Sequence, residues 1–436
     1  MWTRPAPLAA TAAALRSNQL DLAASINEAC DRIDAAEPSV QALLPEPQRR
    51  ARLLADAQIL QAQWPDPAAR PPLYGIFLGV KDMFRVAGFP TRAGSQLPPE
   101  LFAGPEAACV SRLRAAGALI LGKTVSAEFA YFEPGPTRNP HNLDHTPGGS
   151  SSGSAAAVAS GFSPLALGTQ TIGSVLRPAA FCGLVGFKST FGRIPTAGLI
   201  PCAASFDHVG FFTQDMSGAA LVASLLCEGW RPDLAQTPAT LPVLGVPEGP
   251  YLAQASPEAL ALFEEQLALL TAAGYRVRRV PALDDIEAIN RCHLQLVFAE
   301  MAQVHAAWFA RYETLYRPRT ATAIRDGQSV TPAEQDAARA GQARLRADLL
   351  VMMAQYDIDL WVCPAAPGPA PAGIAATGSP LMNLPWTQAG LPAVTFPAGY
   401  AANGLPLGLQ CVGALLADEY LLACALPMAQ MYMERL

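Results

Sequence analysis

Two serines and a lysine have the most chemistry to offer in this chain. Ser150 and Ser174 lie 24 residues apart on Gly/Ser-rich turns, within Thr146–Gly183, TPGGSSSGSAAAVASGFSPLALGTQTIGSVLRPAAFCG. A serine hydroxyl on such a turn suits nucleophilic catalysis, because exposed backbone N–H groups beside it can stabilise a developing oxyanion. Lys81 follows the apolar run GIFLGV and precedes Asp82. A surface lysine paired with an acid would read the same way. A lysine at the mouth of a buried strand, by contrast, is desolvated, which favours its neutral form. A neutral amine can act as general base for a serine that lacks a histidine.

The elements around these residues read as alternating strands and helices. The first Gly/Ser turn is no flexible linker, since it leads directly into AAAVAS, a short small-residue helix, and then PLALG (164–168), a buried strand. Residues 8–62 read as helices with Ala/Leu faces. A βα pattern starts with the strand GIFLGV (75–80), followed by the helix EAACVSRLRAAG (106–117) and the strand ALILG. PVLGVP (242–247) and YRVRRV (275–280) read as strands on either side of a helix that starts at Ser256 as N-cap and Pro257 at the first helical position. Residues 284–356 read as mostly helical. DLWVCP (359–364), PAVTFP (392–397) and LGLQCV (407–412) return to strand before a closing helix. This predicts an α/β fold, a mixed central β-sheet covered by helices on both faces. We expect a single domain over 1–436, with N-terminal helices at 8–62, a catalytic core at 70–215, a variable α/β region at 240–356 and C-terminal sheet strands at 357–436.

Composition narrows the function. Half of the 436 residues (51%) are hydrophobic and 15% are charged, so a large core can form, and the net charge of −6 argues against nucleic acid as a partner. Nine scattered cysteines without a CxxC pair read as buried free thiols in a reducing compartment, which points to the cytoplasm. The Ala-rich N-terminus is a feeble signal peptide and continues as an amphipathic helix, and no apolar run is long enough to cross a membrane. Two motif matches are set aside. GALILGKT (117–124) fits the P-loop pattern, but its variable positions are themselves an apolar strand. GSSSG (149–153) fits a nucleophile elbow at Ser151, but a polar, proline-bracketed loop precedes it instead of a strand. His141 and His145 sit in that same loop, so no metal site is expected, and no cofactor. His208, His293 and His305 are isolated and read as structural. Asp207–His208 could complete a Ser-His-Asp set, although nothing in the sequence requires it.

Taken together, the segments GVKDMF (79–84), GKTVSAEFAY (122–131), TRNPHNLDHTPGGSSSGSAAAVASG (137–161), GTQTIGSVLRPAAFCGLVGFKSTFGRIP (168–195), AGLPAVTFPAG (389–399) and GLPLGLQCVGA (404–414) resemble the amidase signature family of serine hydrolases. The resemblance spans nearly the whole chain. It implies a Ser–cis-Ser–Lys triad in which Ser174 is acylated, Ser150 follows a cis peptide bond and relays protons, and Lys81 is the base. It also implies an oxyanion hole of the backbone N–H groups of Thr171, Ile172, Gly173 and Ser174. The activity implied is hydrolysis of a carboxylic amide, with a small-molecule amide as partner and a homodimer left open. Two alternatives stand beside it: the amidase subunit of a tRNA-dependent amidotransferase, and a non-catalytic binding protein that keeps the fold.

Two positions depart from the family's usual Asp-Thr-Gly-Gly-Ser. Gln170 replaces a carboxylate, which changes the local charge and a link to Arg177, and Ile172 puts a β-branched side chain where glycine is common. Substrate contacts are expected from Phe129–Glu133, Phe206–Phe211 and Leu381–Trp386, whose apolar and aromatic character favours an aliphatic or aryl acyl group over a charged one.

Overall fold

The computed structural model describes residues 2–435. Ten strands form one sheet: β1 (Phe77–Lys81), β2 (Leu119–Thr124), β3 (Leu165–Gln170), β4 (Val185–Lys188), β5 (His208–Thr213), β6 (Val243–Glu248), β7 (Arg276–Pro281), β8 (Leu360–Pro364), β9 (Ala393–Tyr400) and β10 (Pro406–Val412). Their spatial order is β2-β1-β3-β5-β4-β9-β10-β8-β6-β7. Pairing is parallel among β2, β1 and β3 at one end and among β8, β6 and β7 at the other. It is antiparallel through the middle. The strands after residue 357 therefore do not close an edge. They sit mid-sheet and join the early strands to β6 and β7.

The sheet is mixed and helix-covered, as the alternating pattern predicts. Side chains alternate across a strand, and β9 shows the two faces. Thr395 looks toward α6 (Leu176–Phe181), where the glycines at 186 and 408 let the helix close in on the sheet. Phe396 stacks on Tyr432 of α13 (Asp418–Met433), on the other face. Beside α6 lies α5 (Ser152–Ala159), whose eight residues are all buried. A helix buried all round needs small side chains to fit between layers, and SGSAAAVA supplies them. Its Gly153 faces the Ala42 carbonyl and the Val125 amide so closely that a Cβ would lie 2.2–2.3 Å from them.

Helix α3 (Arg49–Gln63) packs on β2 and on α2 (Leu22–Val40), while α1 (Leu8–Arg16) and α4 (Ala108–Ala115) both pack against α7 (Met216–Leu226). Helix α8 (Pro257–Ala272) begins at Ser256, whose hydroxyl accepts the Ala259 N–H at 3.2 Å, with Pro257 at its first position. The long helices α9 (Ile286–Tyr312), α10 (Pro318–Gln328) and α11 (Pro332–Gln355) form a helical layer that reaches the short α12 (Leu384–Gln388). Arg193 anchors α13 by ion pairs to Asp418 (2.8 Å) and Glu419 (2.5 Å), all with buried side chains. All nine cysteines are free, and only Cys292 is not fully buried. Among the described residues no helix is long and apolar enough to cross a membrane.

Candidate active site

Lys81 is the last residue of β1, which is flanked on both sides by parallel neighbours, and its side chain is fully buried. The acid beside it is not its partner. Asp82 pairs instead with Lys123 at 2.9 Å, and Lys123 also donates to the Phe84 carbonyl and to Thr91 Oγ1. Lys81 Nζ lies 2.7 Å from Ser150 Oγ and 2.7 Å from Thr169 Oγ1. Burial pushes this amine down to about 7 from its ordinary 10.5. The nearby Cys202 and Asp207 work against that shift, and Arg177 adds to it. Near neutral pH the amine is thus divided between a form that donates to Ser150 and a form whose lone pair can take the Ser150 proton.

Ser150 follows a cis Gly149–Ser150 peptide bond. The carbonyls on both sides are held: Gly149 O accepts from Arg177 Nη2 at 2.6 Å, and Ser150 O accepts from Ala127 N–H at 3.0 Å. Two other serines of the run tie the start of α5 to β3. Ser151 donates to the Thr169 carbonyl and Ser154 to the Leu167 carbonyl. With its hydroxyl proton committed to the Thr169 carbonyl, Ser151 is a structural tie and not a candidate nucleophile.

Ser174 lies on the turn between β3 and α6 and lines the same cavity as Ser150, together with Tyr131, Phe132, Thr171, Ile172, Arg177 and Cys202. None of the backbone N–H groups of Thr171, Ile172, Gly173 and Ser174 has an acceptor among the described residues. Thr171, Ile172 and Ser174 line the cavity, and free backbone donors at such a wall are suited to receive an oxyanion. Gly173 is required by contact, since a Cβ there would lie 2.5 Å from Asn383 Oδ1. Gln170 does not leave the turn unsupported. Its Oε1 accepts the N–H groups of Val175 (2.9 Å) and Leu176 (3.0 Å), and its Nε2 donates to Thr387 Oγ1. A neutral amide thus caps α6. Arg177, for its part, bonds Gly149 and Thr377, and no hydrogen bond joins it to residue 170.

The cavity is tight. Only about 10 Å³ of it is open to the centre of a water molecule, room for roughly one water. Tyr131, Phe132 and Thr377 also line an outer vestibule of about 580 Å³, so they form the wall between the two. A larger cleft of about 840 Å³ lies between α2 and residues 92–96 and 134–136, but it contains neither serine nor Lys81. Size therefore does not mark the site; its side chains do.

The remaining expectations divide. Phe129–Glu133 contributes Tyr131 and Phe132 to the cavity. Phe206–Phe211 contributes nothing to it: most of that segment is the buried strand β5, and the Phe206 ring packs at a tilt against His293. Pro380, and not the segment Leu381–Trp386, borders the cavity. Asp207 and His208 form no triad. The Asp207 carboxylate accepts from Thr171 Oγ1 and from the N–H groups of Cys202 and Ala203, and the His208 ring bonds the Phe206 carbonyl. The P-loop match at 117–124 is largely the buried strand β2. No cluster of metal-ligating side chains occurs among the described residues. Thr169, Asp207, His293 and Thr387 also reach the turn or Lys81; no local sequence signal marks Thr169 or Thr387, while Asp207 reads as a triad member and His293 as a structural part instead.

The Amidase family model matches residues 24–422. The chain belongs to the amidase signature family. Among its relatives is a glutamyl-tRNA(Gln) amidotransferase subunit of Thermus thermophilus, 34% identical over 450 residues, covering 91% of this chain and 90% of the relative. A crystal structure described as an amidase is 31% identical, with a TM-score of 0.87 over 99% of this chain and 100% of that one. The peptide amidase of Stenotrophomonas maltophilia is 26% identical, with a TM-score of 0.80 over 98% of this chain and 96% of that one.

Proposed function

We propose that the chain is an amidase that hydrolyses a small carboxylate-bearing amide through an acyl-enzyme on Ser174. Lys81 in its neutral form takes the Ser150 proton, and Ser150 takes that of Ser174 as Ser174 attacks the carbonyl. The free N–H groups of 171–174 receive the oxyanion, and the proton returns by the same route to the departing amine. Water then releases the acid by the reverse relay. The observation that carries the chemistry is the contact of a desolvated Lys81 with Ser150 in the cavity that Ser174 lines.

Arg177 supports the substrate class. It is 1% exposed, lines the cavity beside Ser174, and leaves Nε and Nη1 without any hydrogen-bond partner. Burial pushes the guanidinium down to about 9, so it still carries its charge at neutral pH. An unpaired buried cation is unfavourable by several kcal/mol unless an anion joins it, and a carboxylate matches the guanidinium fork. This replaces the sequence-based preference for an uncharged acyl group. The scale of the cavity favours a short one.

The test is a panel of short dicarboxylic monoamides against neutral alkyl amides of equal length, with Ser174→Ala as control. We expect the anionic series to be cleaved faster and the variant to lose about 10⁴-fold or more in kcat. A variant with undiminished turnover would refute the mechanism, and faster cleavage of the neutral series would refute the substrate class.

The amidotransferase reading draws on the relative from Thermus, and glutamine is itself a carboxylate-bearing amide. Glutaminase activity that appears only with companion subunits would favour it. Hydrolysis by the isolated chain favours the amidase. The nine free thiols suit work in a reducing compartment, and we place the enzyme in the cytoplasm on that ground.

A further inference from the structure

We infer that His293 and Thr387 are positioning residues that aim two of the oxyanion-hole donors by holding the carbonyls on the far side of the same peptide planes. The inference rests on the acyl-enzyme reading above, and its test separates the two.

The argument begins with peptide geometry. A trans peptide is planar, and its C=O and N–H point in opposite directions. The carbonyl of Thr171 shares a plane with the N–H of Ile172, and the carbonyl of Ile172 shares one with the N–H of Gly173. Fixing each carbonyl therefore fixes the direction of the next residue's donor. His293 Nε2 lies 3.1 Å from the Thr171 carbonyl. A carbonyl can only accept, so Nε2 carries the proton and donates. Nδ1 is left bare, and it has no partner in its buried setting. Thr387 Oγ1 donates to the Ile172 carbonyl at 2.6 Å. Two successive planes are thus held from behind, while their N–H groups have no acceptor among the described residues.

Both anchors are themselves fixed. His293 is fully buried on α9, with its ring 4.1 Å between centroids from Phe206. Thr387 is fully buried on α12 and accepts from Gln170 Nε2 at 2.9 Å. Thr171 is tied from a third side, since its hydroxyl donates to Asp207 Oδ1 at 2.5 Å. Without its anchor a plane can rock, and a donor that wanders stabilises charge less than one held in place. Ground-state binding uses the cavity walls and is not expected to need these donors to the same degree.

The experiment uses four variants of the full chain: His293→Phe and Thr387→Val, which remove the donor, and His293→Gln and Thr387→Ser, which keep one. Each is assayed for kcat and KM on whichever amide the parent cleaves fastest. Each is also assayed for inhibition by 2-carboxyethylboronic acid and propylboronic acid, which form tetrahedral serine adducts, and for melting temperature. We expect the donor-less variants to lose about ten- to a hundred-fold in kcat, less than the loss of a whole donor. KM should stay within about twofold, and affinity for the tighter boronic acid should fall in parallel with kcat. The donor-keeping variants should recover most of both. Unchanged kcat in a folded donor-less variant would overturn the inference, as would equal losses in Thr387→Val and Thr387→Ser. A shared rise in KM without loss of boronic-acid affinity would also overturn it. If His293→Phe does not fold, the Thr387 pair decides alone. Should Ser174→Ala remain active, the acyl-enzyme reading fails. Should it be dead while the donor-less variants run at parental rate, only this inference fails.

Discussion

Replacing Arg177 by methionine isolates the charge that the cavity presents to substrate. The guanidinium is fully buried beside Ser174, and two of its nitrogens are unpaired. Removing one partner of a buried, hydrogen-bonded charge pair typically costs about 2–5 kcal/mol, which is about thirty-fold to several thousand-fold in rate. Arg177 also holds Gly149 O and Thr377 Oγ1, so Arg177→Met will slow every substrate to some extent by loosening Ser150. The informative quantity is therefore a ratio. The assay measures kcat/KM of parent and variant on a dicarboxylic monoamide and on the neutral amide of equal length, treated as a cycle. The reasoning predicts that the anionic substrate loses at least about thirty-fold more than the neutral one. Arg177→Lys, which keeps a charge but not the planar fork, should fall between. Equal losses on both substrates would show that Arg177 only braces the loop around Ser150, and the substrate assignment would fall.

Three further outcomes are expected. Because Lys81 is pushed down to about 7 by burial and must be neutral to act as base, kcat/KM should rise as pH climbs through 7 and level off above about 8; a flat profile between pH 6 and 8 would contradict its role. Gly173→Ala would press a methyl group against Asn383 Oδ1 at 2.5 Å, so we expect a loss of about tenfold or more in kcat, and parental kinetics would show that the turn tolerates displacement. Arg193→Met leaves Asp418 and Glu419 buried without their main partner; it should destabilise the fold by about 3–5 kcal/mol in urea titration, and a change under 1 kcal/mol would refute that estimate.

Much of this architecture is legible in the sequence because apolar runs and breakers are local signals. The strands around 77–81, 119–124, 165–170 and 243–248 lie within a few residues of their predicted positions. Ser256 and Pro257 start α8 as their chemistry dictates. Strands β4 and β5 carry a weaker signal, because VGFK is only four residues long and a glycine interrupts both VGFK and HVGFFT. The aromatic content of 206–211 suggests a pocket wall, whereas the same residues pack β5 into the core. Lys81, Ser150 and Ser174 stand out by type and context. The side chains that support them do not: His293 and Thr387 approach the turn from 122 and 215 residues away in sequence, and only folding brings them there. The use of Gln170 as a cap is equally hidden, because a glutamine at that position reads first as a lost charge and not as a neutral acceptor for two N–H groups.

The most direct measurement is to quench turnover of the preferred amide in acid and locate any acyl adduct by peptide mass spectrometry. The account predicts an added acyl mass on the peptide that contains Ser174, present in the parent and missing from Ser174→Ala. An adduct confined to another residue, or steady turnover without any covalent intermediate once release is slowed by cold, would contradict it.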